Sequence, residues 1–319
     1  MTSLVVGSIA IDTVETPFGR AEEALGGTAV YFALAASLFT QVQLVGVVGD
    51  DFPPSGVEML EGRGIDLQGL QRRHGETFRW VGQYDFDMNV AHTLDTRLNV
   101  FETFHPTLPE PYRDARFLFL GNIDPELQLE VLKQVRNPQL IALDTMNFWI
   151  EGKRDALTEV IRQVDTVLIN EGEIREYTGR YNVLEAAREL LALGPRHVVV
   201  KRGEYGAILF ANDEVFLVPA FPTWEVRDTT GAGDSFAGAF IGYLDRRGDT
   251  SLHDLKAAVV FGSVVASFAV EDFSVTGLLR ANESSMADRY AALASMTRIE
   301  MPETRPVFIQ TQTLIKEGV

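Results

Sequence analysis

Cysteine is absent from all 319 residues. Disulfides, thiolate zinc sites, iron–sulfur clusters and cysteine nucleophiles are thereby excluded, and a reducing cytoplasm is the compartment expected. Positive charge is scarce: 28 Lys and Arg stand against 45 Asp and Glu, a formal net charge of −17. That balance argues against nucleic acid or an anionic membrane surface as a partner, so any anionic ligand must be held by local donors. Long apolar runs are missing too. The longest nearly uncharged stretch, Ala257 to Val270, includes a glycine and two serines. It is shorter than the ~20 residues of a membrane helix and reads as a buried helix. The N-terminal MTSLVVGSIAID lacks the basic region and cleavage pattern of a secretory signal and reads as a first strand. Three motif families are absent: G-x-x-x-x-G-K-[ST] of triphosphatases, the H-R-D and D-F-G elements of protein kinases, and the H-x-x-x-H or H-E-x-x-H spacing of zinc sites.

What is present is an alternation of short β-branched runs with longer stretches of helical period, the pattern of βαβ units and a mostly parallel sheet. The runs are LVVGSIAI from Leu4, VQLVGVVG from Val42, FLFLGNI from Phe117, LIALDTM from Leu140, TVLINEG from Thr166 and HVVVKRG from His197. Strands of this kind are buried on both faces, and ligands gather at their C-terminal ends. The length suits one doubly wound α/β domain over 1–319. Two excursions, about 11–24 and 80–105, break the pattern with polar, aromatic and short β-like segments, and are expected to pair as a small lid sheet. A hairpin is expected from Ala207, and a last helix from about Asn282 to Met296.

The sequence Asp228-Thr229-Thr230-Gly231-Ala232-Gly233-Asp234-Ser235-Phe236 opens into the apolar helical pattern FAGAFIGYL. Small residues at Gly231, Ala232 and Gly233 let backbone N–H groups converge, and the positive end of the following helix favours an anion there. Asp234 at the helix start reads either as an N-cap or as a base that takes a proton from a nucleophile beside the anion hole. The G-A-G start also imitates a dinucleotide-binding turn, but Phe236 occupies the third small position that such a turn needs.

DTTGAGDSFAGAF resembles the C-terminal signature of the ribokinase-like, or PfkB, carbohydrate kinases, and GG-TAVYFALAASL with VGVVGDD from Val45 resembles their N-terminal signature. The resemblance covers nearly the whole chain. It implies an ATP- and Mg2+-dependent transfer to a hydroxyl, expected to be primary, of a small sugar or polyol. A nucleoside is the alternative acceptor, and an NAD(P)-binding oxidoreductase a remote one. Asp234 is then the base, and Gly231, Ala232 and Gly233 form the anion hole. Asp12, Gly26 and Gly27 would meet the acceptor. Tyr31, where asparagine is usual, would either stack on a base or pack as core. Asn170 and Glu173, in the family's N-x-x-E spacing, would organise the Mg2+-bound water, which suits oxygen donors. Lys201, Gly203, Gly206 and Ser263 would lie along the nucleotide, with Asn170. Asp228 and Thr230 match positions that bind K+ in many members. A phosphosugar acceptor would call for extra cations, and Arg20, Arg79 and Arg97 are the ones near the excursions. An exposed lid sheet could serve as a homodimer interface.

Overall fold

The computed structural model describes residues 2–211 and 213–298. From the N-terminus the chain forms β1 (Thr2–Val6), β2 (Ala10–Thr16), β3 (Gly19–Gly26), α1 (Thr28–Ala36), β4 (Gln41–Val48), α2 (Pro54–Gly62) and β5 (Ile65–Arg72). There follow β6 (Phe78–Tyr84), β7 (Ala91–Arg97), β8 (Phe117–Leu120), α3 (Pro125–Leu132), β9 (Leu140–Leu143), α4 (Asn147–Gly152), α5 (Arg154–Ile161) and β10 (Thr166–Asn170). The remainder is α6 (Glu171–Thr178), α7 (Val183–Leu191), β11 (His197–Lys201), β12 (Ala207–Ala211), β13 (Glu214–Val218), α8 (Ala232–Arg247), α9 (Leu252–Ala269), α10 (Thr276–Arg280) and α11 (Glu283–Met296).

Among the described residues one sheet has the order β13-β12-β11-β10-β9-β8-β1-β4-β5. It is parallel from β11 to β5, and β12 runs antiparallel to both its neighbours. The strands read as unbroken apolar runs because each face of the sheet has its own core. Val5, Phe117, Phe119 and Leu168 join α1, α8 and α9 on one face. Leu4, Val6, Leu118, Leu120, Val167 and Ile169 join α5, α6 and α7 on the other. Winding reverses between β1 and β8, and the C-terminal end of that crevice is where open α/β sheets bind ligands.

Two of the strand readings need correcting. LVVGSIAI is not one strand: the chain leaves the main sheet after Val6, and Ala10 begins a second sheet, of order β3-β2-β6-β7. β5, IDLQGLQR, was missed because an edge strand is only partly buried and carries polar residues at alternate places. In the second sheet β2 and β6 pair in parallel, joining segments far apart in sequence. After β7 the chain returns to the body, where Val100 and Phe104 are buried. α9 is long and apolar enough to cross a membrane, yet it packs against α8 and α11 with most of its residues inside the core.

α1 and α8 carry both halves of the site, and they approach closely because Gly238 has no side chain: a Cβ there would lie 2.3 Å from the Phe32 carbonyl oxygen. Gly238→Ala should therefore push α8 away from α1 at a cost of about 1–3 kcal/mol. Thermal denaturation should show Tm several degrees lower, and an unchanged Tm would refute the close-packing account.

Candidate active site

At the C-terminal edge of the main sheet the segment after Arg227 turns sharply into α8. Gly231 adopts φ +73, and its α-carbon rests on the Tyr31 ring, whose Cγ would be 2.3 Å from any side chain placed there. Only glycine fits both the left-handed backbone and the contact. The Asp228 carboxylate is buried and braces the turn: it accepts from the Thr230 N–H at 2.8 Å and from the Ser274 N–H at 3.3 Å. Burial holds its pKa above the usual carboxylate value, against those hydrogen bonds. The Ala232 N–H donates to the Thr229 carbonyl at 3.2 Å. The amides of Gly233 and Asp234, in the helix's first turn, are the ones without an intrahelical acceptor.

Asp234 is half-buried. Its carboxyl is pushed up to about 7, first by burial and then by the neighbouring Asp144 carboxylate, while Lys201 and a hydrogen bond from Thr28 oppose the rise. Lys201 ends β11 and reaches back across the edge of the sheet. Its Nζ donates to Asp144 Oδ2 at 2.6 Å and stands 3.1 Å from where a Gly233 side chain would begin. Burial alone would discharge this lysine, but Asp144, Glu173 and Asp234 outweigh it and raise its pKa above normal. Asn170 and Glu173 form a capping box at the start of α6: the Asn170 N–H donates to Glu173 Oε2 at 2.9 Å, and the Glu173 N–H to Asn170 Oδ1 at 2.8 Å. Glu173 is pushed up to about 8 by burial and by Asp144, against Lys201 and the Asn170 N–H.

On the second sheet Asp12 projects from β2 into the same space. Its carboxyl is pushed up to about 8 by burial and by Asp228, against a hydrogen bond from the Gly27 N–H, with Asp234 adding to the rise. Asp12 Oδ1 is buried without a hydrogen-bond partner, and Oδ2 occupies the space that a Gly26 side chain would fill. An orphaned carboxylate oxygen facing an anion-accepting helix terminus is an arrangement for gripping a hydroxyl-bearing molecule. The second sheet is itself tied to the turn. Thr16 Oγ1 donates to the Arg227 carbonyl at 2.8 Å, Thr229 Oγ1 donates to the Met88 carbonyl at 2.8 Å, and Thr230 Oγ1 donates to the Tyr84 hydroxyl at 3.2 Å.

Residues 3–281 match the family model described as pfkB family carbohydrate kinase. The chain belongs to the pfkB carbohydrate kinase family. It is thus a phosphotransferase acting on a hydroxyl of a sugar or nucleoside. The cytidine kinase of Thermococcus kodakarensis is 33% identical over 249 residues, 76% of this chain and 88% of that protein. The nucleoside kinase of Methanocaldococcus jannaschii, 21% identical, superposes with a TM-score of 0.74 over 92% of this chain and 99% of its own. A putative ribokinase II from E. coli in complex with ATP and Mg2+ superposes at 0.76 with 19% identity, over 91% of this chain and 99% of its own. These likenesses establish the ribokinase-like fold.

Within this pfkB fold the two signature segments, which lie about 200 residues apart in the chain, face each other: Tyr31 meets Gly231, and the charge of Asp234 is felt at Asp12, on the strand before the first signature. Tyr31 is 2% exposed, with its ring beneath the turn rather than open to a ligand. Gly203 and Gly206 form a tight turn after β11 with φ +54 and +89, where a Gly206 side chain would strike the Val218 carbonyl oxygen at 2.0 Å. Ser263 is buried, and its hydroxyl donates to the Pro219 carbonyl at 2.9 Å. Trp149 Nε1 donates to Asn122 Oδ1 at 2.9 Å. One residue escaped the sequence reading as a site residue. Asp144 directly follows β9, and the rule that ligands meet strand C-termini points to it.

Because Asp144 raises the Asp234 pKa and also holds Lys201, Asp144→Asn should move the Asp234 titration from about 7 toward the ordinary carboxylate range. Carboxyl-carbon NMR titration of the two proteins reads this directly, and an unmoved midpoint would refute the coupling.

Proposed function

We propose that the chain transfers the γ-phosphate of ATP to a hydroxyl of a neutral nucleoside, with Asp234 as the base. The observation that carries this reading is the pairing across one cleft of an orphaned acceptor-side carboxylate, Asp12, with a carboxylate tuned to about 7 at a helix N-terminus, Asp234. A base with its pKa near the working pH combines an adequate ionised fraction with real proton affinity. Asp234 takes the acceptor hydroxyl's proton as the oxygen attacks the γ-phosphorus in line and ADP leaves. The free first-turn amides of Gly233 and Asp234, rather than that of Ala232, which the Thr229 carbonyl takes, stabilise the charge on the transferring phosphoryl group where the chain turns at Gly231, with Lys201 beside them. Lys201 has a second role: shared between Asp144 and an incoming phosphate, it exchanges one anionic partner for another.

A neutral acceptor follows from where the cations go. Arg79 is bound to Glu23 at 2.9 Å and Asp51 at 2.8 Å, Arg20 to Glu22 at 3.0 Å, and Arg97 to Asp95 at 2.8 Å. By strand alternation Arg79 and Arg97 lie on the face opposite Asp12, so neither serves a phosphosugar. Between sugar and nucleoside, the cytidine kinase and nucleoside kinase named above favour the nucleoside.

The divalent ion fits the donors present. Asp144, Glu173 and Asp234 surround one ammonium and burial raises the pKa of Glu173 and Asp234, so added positive charge relieves the site. Among the described residues no cluster of three His, Cys, Asp or Glu could cage a metal by itself, which suits an ion held mainly by nucleotide phosphates and water. Asn170 and Glu173 would hold it through that water, and when bound it supplies charge neutralisation of the phosphates. K+ beside Asp228 and Thr230 would likewise offset a buried negative charge.

The second sheet acts as the lid over the acceptor, formed by the excursions of a single domain. One of its edge strands, β7, carries exposed Leu94, with exposed Val90 just before the strand, and these lids pair in a homodimer. Light scattering at working concentration should report the dimer mass; a monomer would overturn this arrangement.

The base assignment is tested with cytidine, uridine, adenosine and inosine as acceptors. Asp234→Asn should lower kcat by roughly 10²- to 10⁴-fold while ATP still binds. Wild-type kcat/KM should fall as pH drops below about 7, because protonation of a carboxylate with a raised pKa removes the base. Undiminished turnover in the variant would sink the assignment.

A further inference from the structure

The second sheet presents one face to the site. Asp12 faces the main domain, and β2 and β6 pair in parallel with Asp12 directly opposite Trp80. In-register neighbours lie on the same face about 5 Å apart, so Trp80 stands beside the carboxylate that would take the acceptor's hydroxyls. Contacts agree with the register. Trp80 packs at the rim of a small apolar cluster of Val14, Tyr84 and Met88, which also receives Val226 from the segment leading into the turn.

The indole is held in place. Its benzo edge fills the space of the missing Gly82 side chain, where a Cβ would lie 2.0 Å from Trp80 Cη2, and Nε1 donates to Thr93 Oγ1 at 3.1 Å. The indole thus lies over Gly82 of its own strand, and the residue is only partly buried. Three of the neighbouring aromatic side chains are committed, whereas Phe18 and Phe86 are exposed on the loops of the same sheet. Tyr31 is 2% exposed beneath Gly231, Tyr84 is 9% exposed and hydrogen-bonded to Thr230, and Phe78 stacks on Phe101 with ring centroids 5.4 Å apart.

We propose that Trp80 is the stacking platform for the base of the acceptor nucleoside, and so the residue that makes this site prefer a base-bearing acceptor over a free sugar. The assignment deepens the nucleoside reading and rests on it. If Asp12 takes hydroxyls on the ribose ring, the base, one glycosidic bond away, falls over the adjacent strand. A planar indole accepts any base by its π-face, which gives affinity with little discrimination among bases.

The test compares wild type, Trp80→Ala and Trp80→Phe with cytidine, uridine, adenosine, inosine and free ribose, at saturating and varied ATP. Trp80→Ala should raise KM for each nucleoside about 5- to 100-fold, the range seen when a stacking aromatic is truncated. KM for ATP should stay within about twofold, and kcat should change far less than the nucleoside KM. Trp80→Phe should restore most of the affinity. Nucleoside binding should quench the intrinsic tryptophan fluorescence of the wild type, and this quench should vanish in Trp80→Phe although that variant still binds. Unchanged nucleoside KM in Trp80→Ala, or equal rises for nucleoside, ribose and ATP, would overturn the platform while leaving the nucleoside reading intact. A wild type that phosphorylates ribose but no nucleoside would overturn both.

Discussion

The ammonium of Lys201, bound to Asp144 at 2.6 Å, is the interaction around which the cleft is organised. Asp144, Glu173 and Asp234 lie close enough to act on it, and each would be costly to bury as a bare charge. Breaking a buried ion pair by removing one partner typically costs about 3–5 kcal/mol, since the other charge is left stranded. The pair also couples elements from three places in the chain: the end of β9, the end of β11 and the first turn of α8. The lack of a side chain at Gly233 leaves room for the lysine, whose Nζ stands 3.1 Å from where that side chain would begin. Packing and electrostatics meet at that glycine.

The chain's net charge of −17 gives this local cation its importance. A polyanionic nucleotide approaches against the overall field, and attraction has to come from backbone N–H groups, a helix terminus and one lysine, all acting at short range in a site of low dielectric. Burial, and after it the neighbouring carboxylates, pushes Asp234 up to about 7 and Asp12 and Glu173 up to about 8. In the pfkB architecture the second sheet adds a further constraint. Hydrogen bonds from Thr16, Thr229 and Thr230 join it to the segment that carries the turn, so acceptor side and phosphate side are linked through backbone as well as through the cleft.

Much of this was open to reading from local chemistry. The apolar strands declare themselves because both faces of the sheet are buried, and the D-T-T-G-A-G-D turn declares itself because left-handed backbone at a helix start demands glycine. Other features were hidden for equally physical reasons. β5 is an edge strand, so its apolar residues are diluted. The residues after Val6 look like a continuation of β1, since nothing in a run of small and apolar side chains says that the backbone changes sheets at Gly7–Ile9. Asp144 carries no motif; only its ion pair shows what it does.

The sequence by itself determined the family, the sheet of alternating strands and helices, and the glycine–acid turn, because these depend on periodicity and on backbone conformations that few residues tolerate. Only the tertiary structure decided that Tyr31 lies beneath Gly231, that Arg79 and Arg97 face away from Asp12, and that Trp80 stands beside it. Those are questions of which face a side chain occupies. The answer comes from strand register and helix packing between segments tens to hundreds of residues apart, which no local pattern encodes.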